Sequence, residues 1–304
     1  MSSLLSFMSR NDWLHVAVLS SAILVSIIII FFIGFVFYTA FPTIWDQGFY
    51  FLYGQTWNYD ERVFGALNFI VGTLSLTLVT LLLAVPIGLL AAIFMAEYAP
   101  KLFADVSRPL IELLFGIPSV VYGIFGLFVL EPLYKDYLNP FIDSTLGFIS
   151  LFRDVAGGNG IFLASSVLAI MILPTIVALS EEAIRSVPRE YKDASLALGA
   201  TRWETTRKIV LPVALSGIVA GIVLGMMRAM GETMAIIMLM GNNPHIPTSI
   251  LDSASTMTAN IYSSAEYRLA DDADRSAVFA MAAALFFVEM ILAALARRIV
   301  RRGA

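Results

Sequence analysis

Two ionisable residues, Arg228 and Glu232, stand inside an apolar stretch of the sequence that reaches from Val213 to Met240. An ionisable side chain at the centre of a membrane helix costs at least about 2.5–3.5 kcal/mol, and such residues commonly mark a substrate or ion pathway. A spacing of four places the two side chains on one helix face, where their opposite charges can neutralise each other. A guanidinium stays charged and donates paired hydrogen bonds to an oxyanion, so Arg228 predicts an anion pathway that Glu232 tunes.

A purely structural role for this pair stays open, because a buried ion pair also fixes helix packing. Thr233 follows Glu232 and offers a hydroxyl to a substrate, although threonine in a membrane helix often bonds its own backbone. Gly221, Gly225 and Gly231 leave room for another backbone or a substrate to come close. If the glutamate neutralises the arginine, an anion binds weakly, which is what conduction requires.

A second informative stretch is the charged segment 181–212. Pro188 favours a helix start and Gly199 favours a helix end, because proline fits a first helical turn and glycine a C-terminal cap. A second short helix is expected from Arg202 to Val210, with Pro212 at the entry to the next span. Small residues recur in this segment, at Ala194, Ala197, Gly199 and Ala200. Physical reasoning leaves two alternatives, a solvated connection between spans or a docking surface, and the small residues favour the second.

Composition excludes several kinds of chemistry. The chain has no cysteine, which excludes disulfides, thiolate metal sites and cysteine nucleophiles. Its two histidines, His15 and His245, are far apart, so a histidine-rich metal site is not expected. The sequence has no G-x-x-x-x-G-K-[ST] phosphate-binding loop, so a nucleotide site of that kind is not expected in this chain. We expect a chain that binds no metal and no cofactor itself and is not an enzyme.

Six apolar runs are available to hold these residues in a membrane. Of the 304 residues, 59% are hydrophobic and 14% are charged, whereas a soluble domain has about 25% charged residues. A bilayer needs about 20 apolar residues in a helix, and barrel strands need only about 9–11. The runs are Leu14–Phe41, Phe69–Ala96, Leu110–Leu130, Ile161–Leu179, Val213–Met240 and Ala277–Ala296. The sequence predicts an all-α polytopic membrane protein of about six transmembrane helices, forming a single domain over residues 1–304.

The distribution of Lys and Arg predicts the orientation of the chain. With the N-terminus inside, 13 of the 19 basic residues fall in inner segments, Arg10 among them, and 5 fall in outer segments. Short cytoplasmic loops carry the excess of Lys and Arg, so both termini are expected in the cytoplasm. The first apolar run exceeds the signal-peptide core of about 7–15 residues and is expected to stay as a span.

A set of residues in the segment 181–212 resembles the EAA loop of bacterial and archaeal ABC-importer permeases. The matching positions are Asp193-Ala194-Ser195, Gly199-Ala200, Ile209, Leu211 and Pro212. The sequence departs from that pattern in Asp193 for glutamate and in Ser195 for the second alanine. In that family the loop is a coupling helix that sits in a groove of the ATPase subunit. The resemblance therefore implies ATPase-coupling roles for Asp193, Ala194, Ser195, Gly199, Ile209 and Pro212.

Three further stretches are similar to phosphate permeases of the PstC type. They are GTLSLTLVTLLLAVPIGLLAAIFMAEYAP at 72–100, GIPSVVYGIFGLFVL at 116–130 and RAMGETMAIIMLMGN at 228–242. Together with the loop, the specific likeness runs from about residue 68 to 242, and the permease core it implies reaches about 300. The resemblance implies the fold of a type I ABC importer permease, with Arg228, Glu232 and Thr233 on the pathway of inorganic phosphate.

The same resemblance implies a set of partners and a location. The partners are a second permease subunit, a dimer of ATP-binding subunits and an extracytoplasmic phosphate-binding protein. ATP and magnesium would be used by the ATPase and not by this chain. The expected location is the plasma (inner) membrane of a prokaryote, and no nucleic acid partner is expected.

Three alternatives stay open. The first is the companion PstA-type permease, whose signature after Gly-Glu-Thr usually continues with Ala-Pro, where this chain has Met234-Ala235. The second is a permease for another oxyanion, such as molybdate or sulfate, since an Arg–Glu pair alone does not distinguish these ions. The third is an ATP-independent secondary transporter, for which an inverted repeat and paired broken helices are expected, and neither is visible in the sequence.

Overall fold

The computed structural model describes residues 13–153 and 157–303 and consists almost entirely of helices. The helices are α1 Trp13–Gln47, α2 Tyr50–Tyr53, α3 Leu67–Tyr98, α4 Lys101–Phe115, α5 Ser119–Leu146, α6 Ile161–Arg185, α7 Arg189–Ala197, α8 Arg202–Met230, α9 Met234–Leu239, α10 Met257–Tyr267 and α11 Asp272–Gly303. A small antiparallel hairpin joins β1 (Trp57–Asn58) to β2 (Val63–Phe64). The predicted all-α class is confirmed, with this hairpin as a minor addition.

Five of these helices, α1, α3, α6, α8 and α11, are long and apolar enough to cross a membrane. A sixth span is possible only as a bent pair, because α4 and α5 meet at an angle of 91°. The prediction of about six spans is confirmed, but the apolar run Leu110–Leu130 does not form a single helix. Pro118 lacks a backbone N–H and disfavours helix at the residue before it, so the helix breaks between Phe115 and Ser119.

The prediction of one continuous helix over Val213–Met240 is also wrong. Helix α8 ends at Met230, the chain passes through Gly231–Thr233 without helical structure, and α9 begins at Met234. Non-helical backbone at membrane depth is tolerated where protein groups satisfy it. Here the Thr258 hydroxyl donates to the Glu232 carbonyl oxygen at 2.9 Å.

Helix α6 forms the centre of the molecule and α1 its edge. Two thirds (67%) of the apolar part of α6 is buried within the chain, against 0% of α1. Glycines on α8 allow close contact with α6, since a Cβ on Gly221 would lie 3.0 Å from Leu179 Cβ, and one on Gly225 would lie 3.0 Å from Ile176 Cγ1. Small residues at a spacing of four let membrane helices approach closely, so the close approach predicted at these two glycines is confirmed.

The segment 240–256 folds back into the protein between α3 and α6. The backbone N–H of Ile161 donates to the Asp252 carbonyl oxygen at 3.0 Å, and the N–H of Met257 donates to Thr73 Oγ1 at 3.0 Å. Leu251 and Ala254 are almost completely buried. Much of what the sequence indicates as an external loop is therefore packed between two spans, at the level where the α8–α9 break lies.

The prediction of a cytoplasmic N-terminus depends in part on Arg10, which lies outside the described residues. The first span itself is described from Trp13 onwards.

Candidate functional site

Arg228 lies in the last turn of α8, facing α6 and the end of α4. Its Nη1 donates to Thr175 Oγ1 at 3.4 Å, and its Cζ lies 5.4 Å from the centroid of the Phe115 ring. The side chain is half-buried. A guanidinium has five N–H donors, and within the described residues only this one long hydrogen bond uses any of them. Most of its donor capacity is therefore free to meet an anion.

The predicted ion pair between Arg228 and Glu232 is not formed. No carboxylate of the described residues lies within 4.0 Å of the Arg228 guanidinium. The spacing of four predicts a shared helix face only if the helix continues, and it ends at Met230. The structure thus separates the two charges that the sequence places together.

Glu232 instead interacts with the start of the next helix. Its Oε1 accepts a hydrogen bond of 3.3 Å from the backbone N–H of Ala235, in the first turn of α9. A cation is favoured near a helix C-terminus and an anion near an N-terminus. Arg228 at the end of α8 and Glu232 before α9 therefore each interact favourably with a helix end, without needing each other.

Thr233 lies at the break, where its hydroxyl makes a long contact of 3.4 Å to the Gly231 carbonyl oxygen. It does not bond the turn before it as a threonine within a helix would. Its hydroxyl is half-exposed and next to Glu232. The predicted role of Thr233 on the substrate pathway stays a prediction.

The segment from Arg189 to Val210, which we call the 189–210 block, has the predicted helix–Gly–helix form. Gly199 has a φ of +86°, the left-handed region that glycine adopts without strain. Thr201 begins α8 with a capping box, in which its hydroxyl accepts from the Glu204 N–H and the Glu204 carboxylate accepts from the Thr201 N–H.

The first helix of the 189–210 block, α7, contains no buried residue. The second half of the block is packed against the protein through the buried Thr205, Thr206 and Val210. Large apolar side chains are exposed on the block, namely Tyr191 (53%), Trp203 (53%) and Leu198 (90%). Exposed apolar patches of this kind mark interaction surfaces. The block thus has the character of a docking surface, the alternative that its small residues favour.

The coupling positions expected from the sequence do not all lie on one face. Ser195 Oγ is 2.9 Å from Thr205 Oγ1 and holds α7 against α8, while Ile209 is half-buried. Asp193, Ala194, Gly199 and Pro212 are exposed or partly exposed. Their roles in coupling stay predictions, with Ser195 and Ile209 better placed to hold the block than to contact a partner.

Comparison with known families identifies the chain. Residues 84–303 match the family described as binding-protein-dependent transport system inner membrane component. The chain belongs to this family. It is thus a multi-pass membrane permease of the ABC type, from a family that works with an ATPase and a binding protein.

Several relatives of the permease are named as phosphate transporters. It is 38% identical over 260 residues to the phosphate transport system permease protein PstC of Xylella fastidiosa (strain Temecula1), covering 84% of this chain and 80% of that one. It is 36% identical over 306 residues to the PstC protein of Mesorhizobium japonicum, covering 95% and 89%. It is 41% identical over 213 residues to the probable ABC transporter permease protein YqgH of Bacillus subtilis, covering 69% and 64%.

Solved structures confirm the predicted fold. A crystal structure of a bacterial alginate ABC transporter, with its periplasmic protein bound to an alginate pentasaccharide, matches with a TM-score of 0.59 at 20% identity and covers 96% of each chain. An inward-facing MetNI methionine ABC transporter matches with a TM-score of 0.53 at 19% identity, covering 77% of the permease and 93% of that chain. At these identities the likeness shows the fold of an ABC importer permease and nothing about the substrate.

Sequence reasoning missed a network of ion pairs that surrounds the 189–210 block of the permease. Glu181 Oε1 accepts from both Arg108 Nη2 and Arg185 Nε at 2.9 Å, joining α4 to α6. Lys192 Nζ lies 2.5 Å from Glu97 Oε1 and ties α7 to the end of α3. The pairs on separate helices have sequence separations of 73 and 95 residues, so no local pattern could have revealed them.

Proposed function

We propose that the permease is the PstC-type subunit of an ATP-driven, binding-protein-dependent importer of inorganic phosphate. The observation that carries this proposal is its 38% identity to a named PstC protein along 84% of its length. The arginine at the α8–α9 break supports it, because Arg228 keeps most of its hydrogen-bond donors unused. An oxyanion is the ligand that a free guanidinium suits best.

Arg228 is the group that contacts phosphate on its way through the membrane. Its planar fork donates two hydrogen bonds to phosphate oxygens, and the Thr175 hydroxyl and the Phe115 ring keep it in position. Glu232 is four residues from Arg228 in the sequence and carries a negative charge. This charge repels the anion and shortens the time for which phosphate stays bound. The Thr233 hydroxyl donates a further hydrogen bond at the same break.

The energy for transport comes from partner subunits. Two ATP-binding subunits use ATP and magnesium and act on the permease through the 189–210 block, where Tyr191, Leu198 and Trp203 are exposed. A second permease subunit forms the other wall of the path, since Arg228 is only half-buried by this chain. An extracytoplasmic binding protein delivers phosphate to the opposite end, and both termini lie in the cytoplasm of a prokaryote.

Uptake measured in proteoliposomes tests the proposal. The permease is purified with the subunits that accompany it, reconstituted with the binding protein and supplied with ATP, and entry of labelled phosphate is followed. We expect uptake that requires ATP and that sulfate and molybdate do not suppress. Uptake of sulfate or molybdate in place of phosphate would favour another oxyanion permease, and phosphate uptake without ATP would favour a secondary transporter.

A further inference from the structure

A cavity of about 900 Å³ lies between the end of α3, the start of α4 and the 189–210 block. Charged residues dominate its wall, with six cations and three carboxylates. The cations are Lys101, Arg108, Arg185, Arg189, Lys192 and Arg202, and the carboxylates are Glu97, Asp105 and Asp193. A cavity of this size is within the range of about 300–1,000 Å³ in which proteins bind small molecules.

Half of these cations are already neutralised by neighbouring carboxylates. Lys192 pairs with Glu97 at 2.5 Å, and Arg108 and Arg185 share Glu181 at 2.9 Å, where Arg108 also lies 3.6 Å from Asp105. These pairs fix the walls of the cavity. Because their charges are neutralised, Lys192, Arg108 and Arg185 contribute little positive charge to bind a ligand.

The other three cations, Lys101, Arg189 and Arg202, have no ion-pair partner among residues 13–153 and 157–303. They stand on three different elements, α4, α7 and α8. Of the carboxylates on the wall, only Asp193 is likewise unpaired in the described part of the chain. The unpaired charges therefore leave the cavity with an excess of positive charge.

We propose that this cavity binds a phosphate group, supplied either by inorganic phosphate or by the head group of an anionic phospholipid. Arginine forks match phosphate oxygens, and a lysine adds a point charge. The hydroxyls of Tyr98 and Thr206, which lie 3.4 Å apart on the wall, add neutral donors. Basic pockets at the cytoplasmic ends of membrane helices bind such head groups, and the assignment of this end to the cytoplasm rests on the proposed orientation.

A bound phosphate would connect the 189–210 block to the start of α4 without covering its outer surface. The cavity-facing residues of α7 include Arg189, Lys192 and Leu196, whose spacing of three and four places them on one helix face. The exposed Tyr191 and Leu198 are not part of the cavity wall. Ligand and partner protein therefore occupy different sides of α7 and can be bound together.

The four lysines of the chain give a direct test, because an amine near a bound anion is held protonated and reacts more slowly with an acylating reagent. The transporter, purified with its accompanying subunits, is placed in nanodiscs of phosphatidylcholine. Acylation of each lysine is followed by mass spectrometry, in phosphate or in chloride of equal ionic strength. We expect phosphate to slow acylation of Lys101 about three- to tenfold, while Lys208, which lies outside the cavity, keeps its rate.

The lipid composition of the nanodiscs distinguishes the two sources of phosphate. Slowing by inorganic phosphate in pure phosphatidylcholine identifies the free ion as the ligand. Slowing in nanodiscs that contain phosphatidylglycerol, with only chloride in the buffer, identifies the lipid head group.

A cavity variant and a control variant make the test specific. Arg189→Gln combined with Arg202→Gln removes two unpaired cations from the cavity and should abolish the slowing at Lys101. Arg207→Gln removes an exposed cation of the same block that is not on the cavity wall, and should leave the slowing intact. Recovery of each variant with the same accompanying subunits as the wild type shows that the variant is folded.

Two results would overturn the proposal. One is a Lys101 acylation rate that neither phosphate nor phosphatidylglycerol changes in the wild-type transporter. The other is a Lys101 that fails to react even in phosphate-free phosphatidylcholine, because a partner subunit would then fill the cavity. Neither result bears on uptake, so the proposed function stands or falls separately.

Discussion

The α8–α9 break and the 189–210 block hold their charges in opposite ways. At the break, Arg228 makes one long hydrogen bond to Thr175 and lies over the Phe115 ring. Glu232 accepts a hydrogen bond from a backbone N–H and does not pair with the arginine. Around the block, three cations pair with carboxylates at 2.5–2.9 Å. Ion pairs that join helices stabilise a structure, whereas an unpaired cation is available to a ligand. The break thus leaves Arg228 free to contact an anion, whereas the block combines ion pairs that join helices with the unpaired cations of the neighbouring cavity.

The largest expected effect concerns the charge of Arg228 at the α8–α9 break. Arg228→Gln removes the charge and the fork but keeps an amide, and we expect phosphate uptake to fall at least about tenfold, since hydrogen bonds to charged groups contribute about 1.5–3 kcal/mol. Co-purification of the ATPase should stay unchanged, because Arg228 lies at the opposite end of α8 from the 189–210 block. Arg298→Gln, at an exposed position near the end of α11, is the matched control and should transport normally. Normal uptake by Arg228→Gln would remove Arg228 from the pathway.

The close packing of α8 against α6, which positions the break, can be tested separately from the charge of Arg228. In Gly225→Leu the new side chain must displace Ile176, and overpacking of this kind costs about 1–3 kcal/mol. We expect a lower yield of assembled transporter and a lower unfolding temperature in detergent. Gly34→Leu makes the same change in α1 where a Cβ meets nothing within 4 Å, and it should be tolerated. Equal stability of the two variants would mean that α8 does not depend on close contact with α6.

The ion pairs of Glu181 allow a stability test beside the 189–210 block. Glu181→Gln leaves Arg108 and Arg185 without their shared carboxylate. Breaking a fully buried pair costs about 3–5 kcal/mol, but both arginines are partly exposed, so we expect a loss of about 1–3 kcal/mol in thermal unfolding experiments. Glu182→Gln, at the exposed neighbouring position, is the control. A Glu181→Gln variant as stable as the wild type would show that the network does not hold α4 to α6.

The smallest expected effect concerns the turn of the 189–210 block. A bulky residue in place of Gly199 would have to adopt a φ near +86°, and such a conformation costs an L-residue about 1–2 kcal/mol. Since a Cβ meets nothing within 4 Å there, strain and not collision is the cause. We expect Gly199→Val to weaken ATPase co-purification or coupled hydrolysis. Gly199→Asn, which tolerates this conformation, should keep both, and equal behaviour of the two variants would contradict this explanation.

The sequence predicted the 189–210 block better than the break. Pro188 and Gly199 are local signals, and the helix they delimit is observed as α7. The short helix expected from Arg202 to Val210 instead continues through Pro212 as part of α8. The predicted ion pair between Arg228 and Glu232 was wrong because it assumed an unbroken helix. At the observed break, the Glu232 carbonyl oxygen accepts from Thr258, which is 26 residues away in sequence. Long-range contacts of this kind, like the pair between Arg108 and Glu181, have no local pattern, so only the folded chain reveals them.

The most direct test of the whole account is the set of proteins that accompanies the permease. The tagged chain is purified from membranes in a mild detergent, and its partners are identified by mass spectrometry. We predict recovery of a second, related permease and of an ATP-binding subunit. A stable homo-oligomer of this chain alone would contradict the proposed importer and would place an ATP-independent transporter first.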